Sequence, residues 1–370
     1  VIWIATMASA STPKYRLEFE TPIQEMEAKL AELELRQVTA RSADPASSEF
    51  SDQIKRLRRE LAALVRTVYA HLTPWEIVKV ARCEFRPQTR DYVHIAFDQF
   101  IELHGDRAVG DDRAIVTGLA TIEEQKVMLI GHQKGKLLAE RLASNFGQAH
   151  PEGYRKALHK MRLAEKLRLP IVCLIDTQGA YPGIQAEERG QAAIIAENLL
   201  AMSELRTPIV CVVIGEGGSG GALGIGIGDK VAMLEYAYYS VITPEGCATI
   251  LWKGAEHAPR AAEALKMTSR DLKRLGVIDA IVPEPPGGAH RDHRQAASNL
   301  KSYILRALRE LRELPIDVLL ERRYQKFRAM GCFTEQVDPP EVPAAANVGA
   351  PGATPTPAEP SSASVNPSAV

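Results

Sequence analysis

The sequence predicts an α/β fold, and three observations predict it. From residue 114 onward, short apolar runs rich in β-branched residues alternate with helical patterns, which reads as strands and helices packed in layers. One of those runs, PIVCVVI, meets a cluster of Gly215, Gly217, Gly218, Gly220 and Gly221. Ahead of residue 91 the apolar spacing is helical, so a helical region precedes the α/β domain.

The totals restrict the function classes. The chain has 370 residues, 45% hydrophobic and 25% charged, with a formal net charge of −1. That is an ordinary globular balance and gives no electrostatic reason for a nucleic-acid partner. Cys83, Cys173, Cys211, Cys247 and Cys332 form no CxxC pair, so neither a zinc site nor a disulfide framework is expected, and a reducing cytoplasm is. No apolar run reaches the ~18 residues of a membrane span. The opening VIWIATMASA is apolar without a basic start, a poor signal peptide. Met7 is the expected true start, and residues 1–20 an expected flexible leader.

Taken in order, Thr21-Pro22-Ile23-Gln24 offers an N-cap, a proline at the first helical position and a capping-box glutamine. Ile23, Met26, Leu30 and Leu33 then keep helical spacing to about Gln37. Residues 41–50 read as a loop, and Ser51 as the cap of a second amphipathic helix, giving an antiparallel hairpin. Thr73-Pro74-Trp75-Glu76 repeats the capping pattern. A helix is expected over 91–103. Strands are expected over AIVTGLATI, KVMLIGH, PIVCLID, PIVCVVI, KVAMLEY, SVIT and VIDAIV, with helices near 152–168 and 187–204 between them. The small residues of 220–228 read as a tightly packed helix, and 291–329 as a basic helical segment. Residues 336–370 hold eight prolines and no Lys or Arg, a composition expected to be disordered. The expected boundaries are 21–90 helical, 91–290 α/β, 291–332 helical and 333–370 tail.

The chemistry is expected at strand C-terminal ends, where three loops fall. Glycines at a strand-to-helix turn let backbone approach a ligand and leave first-turn N–H groups free of helical partners. Such amides hold a phosphate, a carboxylate or a developing oxyanion, and the oxyanion is the favoured reading. Simple close packing is the alternative. A P-loop is excluded, because Ala222-Leu223 stand where Lys-Ser/Thr would follow. Ser219 in GGSGG suggests a nucleophile, but no His/Asp pair can be named for it. The second loop, Asp176-Thr177-Gln178-Gly179-Ala180, turns where backbone can face the same crevice. The third places Lys134 and Lys136 beside His132, either for an anionic ligand or as a solvated patch. Glu216 and Asp176 are the nearby acids, and no spacing pairs them as the two carboxylates of a hydratase.

These residues closely resemble one family, the alpha subunit of bacterial and plastid acetyl-coenzyme A carboxylase carboxyltransferase. GDRAVGDDRAIV, GHQKG, IDTQGAYPGIQAEERGQ, VIGEGGSGGALGIGIGDKVAML and YSVITPEGCATILWK carry the match, collinear from Pro22 to Cys332. The resemblance implies a crotonase-like (ClpP-like) spiral of ββα units. It implies transfer of a carboxyl group from carboxybiotin, held on a biotin carboxyl carrier protein, to acetyl-CoA, giving malonyl-CoA for fatty-acid synthesis. Biotin carboxylase belongs to the same larger complex. A beta subunit, in an implied alpha2beta2 assembly, supplies a second oxyanion site and a zinc ribbon; no cofactor is held tightly here.

By position, the biotin-side oxyanion hole falls on Gly220 and Gly221, with Gly217 and Gly218 shaping the turn. Gly179, Ala180, Lys134 and Lys136 are the implied substrate-side residues. A Cβ at Gly220 is expected to crowd the hole. Two departures stand out: Gln178 replaces the family's proline, and Leu and Ala replace several polar residues in 136–144. The second departure raises the alternative of a larger acyl-CoA; a non-catalytic beta-binding paralogue is the other.

Overall fold

The computed structural model describes residues 17–39 and 46–331; the expected leader before residue 17 and the 333–370 tail lie outside them. Helix α1 (Thr21–Thr39) follows a 3-10 turn whose Glu18 carbonyl accepts from the Thr21 hydroxyl at 2.7 Å. Helix α2 (Ala46–Ala70) packs along it. The expected cap at Ser51 is corrected: Ser51 lies inside α2, and its hydroxyl accepts from Gln37 Nε2 of α1 at 2.7 Å. Packing on α1 overrides the weak local loop signal of 46–50. Helix α3 (Pro74–Ala81) forms its capping box as expected, with Thr73 Oγ1 accepting from Glu76 N and Thr73 N donating to Glu76 Oε2.

The helix expected over 91–103 is two elements. Helix α4 (Thr89–Ala96) stops at Phe97, and β1 (Gln99–Glu102) pairs antiparallel with β2 (Ile115–Ile122). Short edge strands take their conformation from a partner distant in sequence, which local spacing cannot show. Strand β3 (Gln125–His132) makes an antiparallel hairpin with β2. Helices α5 (Leu138–Ala143) and α6 (Pro151–Lys166) then lead to β4 (Ile171–Thr177), which lies parallel to β3. Together β2, β3 and α6 make one ββα unit.

Helices α7 (Ile184–Glu188) and α8 (Gln191–Glu204) connect β4 to β5 (Ile209–Gly218). Strand β5 is parallel to β4 and buried along its whole length. It continues through the glycines because Glu216, Gly217 and Gly218 pair with a branch strand, β7 (Tyr238–Ser240). The helix expected over 220–228 shrinks to α9 (Ser219–Leu223), after which Gly224–228 runs in turns to β6 (Lys230–Leu234). The strand expected over SVIT sits earlier, as β7, and Thr243 instead caps α10 (Pro244–Trp252) by accepting from Gly246 N.

Helices α11 (Ala258–Ala264) and α12 (Ser269–Arg274) precede β8 (Ala280–Val282), which is shorter than VIDAIV suggests. The basic segment after residue 291 is two helices, α13 (His293–Arg312) and α14 (Ile316–Arg328). One sheet results, ordered β1-β2-β3-β4-β5-β6-β8, with β7 beside β5. Its central strands and the faces of α4, α6, α8 and α13 share one apolar core.

The last helix is anchored by Arg323, which is fully buried. Its guanidinium donates to both Asp229 oxygens at 2.8 Å and to the carbonyls of Met202, Leu205 and Thr207. Asp229 Oδ2 also accepts from Ile209 N at 2.7 Å, so α14 is bonded to the start of β5. No helix among the described residues is long and apolar enough to cross a membrane.

Candidate active site

The three loops singled out by sequence meet at the C-terminal ends of β3, β4 and β5, and each contributes one charge. Lys134 Nζ lies 2.7 Å from Asp176 Oδ1 and 2.6 Å from Glu216 Oε2. The ladder between β4 and β5 is irregular between Ile175 and Thr177. There the Asp176 carboxylate turns towards β5 and accepts from Glu216 N at 2.9 Å. Glu216 is only 6% exposed, so it does not face solvent.

Glu216 is held from two further directions. Arg82, which ends α3, donates from Nε to Glu216 Oε1 at 2.8 Å, and the Tyr238 hydroxyl donates to the same oxygen at 2.6 Å. Arg82 also grips Glu245 at the start of α10. Burial opposes the charge on Glu216, but Lys134 and Arg82 outweigh it and hold its pKa down at about 2. The same pairing raises the pKa of Lys134 against its own desolvation. A carboxylate so held is ionised at neutral pH and has no proton to give. Asp176 and Glu216 are thus joined through a cation, contrary to the unpaired reading of their spacing, and are not poised as a hydratase's acid and base.

Above this cluster β5 turns into α9. Ser219 takes a left-handed φ of 50°, uncommon for a residue with a side chain and a local cost of ~1–3 kcal/mol. This is the sharp strand-to-helix geometry of a nucleophile elbow. No His or Asp bonds its hydroxyl among the described residues, so the elbow has no base. What the turn does present is the first-turn N–H groups of Ser219, Gly220 and Gly221, which have no partner within their own helix.

Two clefts open near these residues, one lined by Glu216 and the other by Ser219 and Gly220. A polar cleft of about 480 Å³ is walled by Arg82, Lys134, Arg141, Phe146, Gln178 and Glu216, among others. An apolar groove of about 410 Å³ is lined by Ser219, Gly220, Leu223, Ile227, Val241 and Phe327, among others. Gly220 is half-buried there, whereas Gly221, Gly217 and Gly218 are buried. Gly179 and Ala180 pack on the turn: a Cβ on Gly221 would stand 2.4 Å from Ala180 N, and one on Gly218 would stand 2.1 Å from the Gln178 carbonyl. A Cβ on Gly220 would meet nothing nearer than Ile195 at 3.8 Å. A Cβ on Gly220 thus crowds no protein atom, and the tight protein contacts fall on Gly218 and Gly221.

Lys134 lines the polar cleft with its charge already matched. Lys136 does not reach the cleft: its ammonium pairs with Asp91 at 2.5 Å on an exposed face. Leu137, Leu138 and Leu142 of the departing segment are 68%, 68% and 59% exposed and line neither cleft. Sequence reasoning missed Arg82, Tyr238 and Glu245. The capping box at Thr73 signalled the helix that carries Arg82, but nothing local links it to Glu216.

His132, just below Lys134, is fully buried with no partner on either ring nitrogen. Burial and the neighbouring Lys134 charge lower its pKa from 6.5 to about 3.

This is a mixed α/β protein whose candidate site is a glycine turn at the strand ends, braced by buried ion pairs. Residues 16–331 match the family described as acetyl co-enzyme A carboxylase carboxyltransferase-like, and the chain belongs to that family. It is 58% identical over 320 residues to the acetyl-coenzyme A carboxylase carboxyl transferase subunit alpha of Rhodopirellula baltica, covering 86% of this chain and 98% of the relative. The proteins of that name from Methylococcus capsulatus and Thermus thermophilus are 54% and 52% identical over 319 residues, with 86% of this chain and 98% and 99% of theirs covered. A transcarboxylase 12S structure overlaps more loosely, at a TM-score of 0.48 and 22% identity over 60% of this chain and 42% of that one. The family assignment rests on the sequence relatives.

Two outcomes follow from this geometry. Gly220→Ala should melt within ~1 kcal/mol of the parent, since it gains helix propensity without a clash. Gly221→Ala should lose ~1–3 kcal/mol through forced backbone movement; equal stabilities in chemical denaturation would refute the packing described. For His132, the folded state favours the neutral ring. Its contribution to stability is complete above pH 6.5 and is lost as pH falls towards 3, by up to ~1.4 kcal/mol per pH unit. His132→Phe should flatten that part of the stability–pH curve, and an unchanged slope would contradict the assignment.

Proposed function

We propose that this chain is the alpha-type half of a two-subunit carboxyltransferase. With a beta-type partner it moves a carboxyl group from carboxybiotin, presented on a carrier protein, to acetyl-CoA to give malonyl-CoA. The named relatives at more than half identity support the class of reaction. The observation that carries the site assignment is the pairing of first-turn amides at Ser219 and Gly220 with an apolar groove.

The residues present suit a neutral ureido bicycle: the groove walls are aliphatic and aromatic, and two of the residues lining it, Ser219 and Gly220, carry first-turn peptide N–H groups. The bound biotin supplies the carboxyl group and a ureido oxygen on which charge grows as that group leaves. Gly220 and Gly221 N–H groups stabilise that oxygen, and the apolar walls exclude water that would screen them. Lys134, Arg82 and Tyr238 keep Glu216 ionised and fixed, so the turn holds its direction as charge develops. Glu216 holds no transferable proton in this arrangement, and no general base from this chain is invoked: the ureido nitrogen freed as the carboxyl group leaves takes the proton that the acetyl methyl gives up. Gly179 and Ala180, packed under Gly221, set how far the amides reach.

The partner provides the second oxyanion site in this reading, and biotin carboxylase recharges the carrier in the larger, cytoplasmic complex. Of the altered 136–144 segment, Arg141 lines the polar cleft while Leu137, Leu138 and Leu142 lie outside both clefts, so the new leucines give no structural reason for a larger acyl group.

Mixing the purified chain with a cognate beta-type subunit, carboxylated carrier and acetyl-CoA should yield malonyl-CoA, and omitting either subunit should abolish it. Product formed by this chain alone would refute the division of labour, and no product from the complete mixture would refute the assignment.

A further inference from the structure

Helix α9 is too short to hold itself. Five residues, Ser219–Leu223, fall well below the length at which an isolated helix is stable in water. The carbonyls of Gly220, Ala222 and Leu223 accept from the backbone N–H groups of Gly224, Ile225 and Gly226; those of Gly221 and of the cap residue Gly224 are met by two buried side chains. The Tyr154 hydroxyl, from α6, donates to the Gly221 carbonyl at 3.0 Å. Asn198 Nδ2, from α8, donates to the Gly224 carbonyl at 2.9 Å and to the Tyr154 carbonyl at 3.1 Å. The Tyr154 ring also lies against Gly224, where a Cβ would stand 2.6 Å from it.

Packing alone does not call for these residue types. Both side chains are fully buried, and a phenylalanine and a leucine would fill similar space without desolvating a hydroxyl and an amide. Asn198 Oδ1 has no partner, so the amide carries an uncompensated cost. Of the three bonds the pair makes, two end on the backbone of the glycine turn and the third locks Asn198 to Tyr154.

We propose that Tyr154 and Asn198 are positioning residues: by gripping the C-terminal end of α9 they fix the direction of the Gly220 and Gly221 amides at its other end. The catalytic part of this inference rests on the carboxyltransferase reading above. Neither residue touches a substrate. The Tyr154 hydroxyl holds the carbonyl of Gly221, the residue whose N–H is assigned to the oxyanion hole in that reading, and Asn198 holds the Gly224 carbonyl just beyond it. Loosening that grip lowers the stabilisation of the transition state and leaves ground-state binding in place.

The test uses the full chain carrying Tyr154→Phe, which keeps the ring and removes only the hydroxyl, and separately Asn198→Leu. Two readouts separate this inference from the functional reading. In the free chain, hydrogen exchange followed by mass spectrometry should show segment 219–226 exchanging about tenfold faster in Tyr154→Phe, the size of one lost hydrogen bond. Exchange in β4 should be unchanged. In the assembled complex, kcat should fall about tenfold while KM for the acyl-CoA and subunit assembly stay as in the parent. Unchanged exchange in 219–226 overturns the grip whatever the complex does. Faster exchange with unchanged kcat overturns the positioning role, as does a loss confined to KM. A parent complex that makes no malonyl-CoA overturns the carboxyltransferase reading and with it the catalytic role, while exchange still decides the grip. Should Asn198→Leu fail to fold, Tyr154→Phe decides both questions alone.

Discussion

A single ammonium, Lys134 Nζ, ties the ends of three neighbouring strands together. Its partners, Asp176 and Glu216, belong to β4 and β5. Two carboxylates buried side by side would repel and drive one of them to take up a proton; the lysine between them removes that pressure. Arg82 and Tyr238 complete the shell around Glu216. The N-terminal helices thus contribute directly to the site, since Arg82 ends α3. A buried ion network of this kind is a weak source of net stability, but breaking it is costly, which makes it suited to fixing geometry.

That arrangement decides what the site can do. Asp176 and Glu216, the acids at the strand ends beside the glycine turn, are both committed to cations, and among the described residues no His or Asp bonds the hydroxyl of Ser219 at its strained elbow. The turn adds first-turn peptide N–H groups beside an apolar groove. Such a surface stabilises charge on a leaving or attacking oxygen more readily than it moves protons.

Much of the fold was legible because its signals are local. The β-branched runs became β2 to β6, and the Thr73 capping box formed as spacing predicts. What local pattern could not show was set by partners far along the chain. Gln99–Glu102 is a strand because β2 lies beside it, and β5 runs on through its glycines because β7 pairs with them. Ser51 looked like a cap, yet α2 extends past it because α1 offers a face to pack on. At the site, the sequence brought the three loops to one end of the sheet. It did not show that Lys134 is occupied by Asp176 and Glu216, that Lys136 faces away to Asp91, or that the tight glycines are Gly218 and Gly221. Each of those facts depends on side chains separated by tens of residues.

The interaction between Lys134 and Glu216 can be measured by itself, in a double-mutant cycle of Lys134→Met and Glu216→Gln followed by chemical denaturation of the chain. Each single change should cost ~3–5 kcal/mol by leaving a buried charge uncompensated. The double variant should cost less than their sum by ~2 kcal/mol or more. Additivity within ~0.5 kcal/mol would mean that the ammonium does not join the strand ends, and the account of how the turn is held would fail.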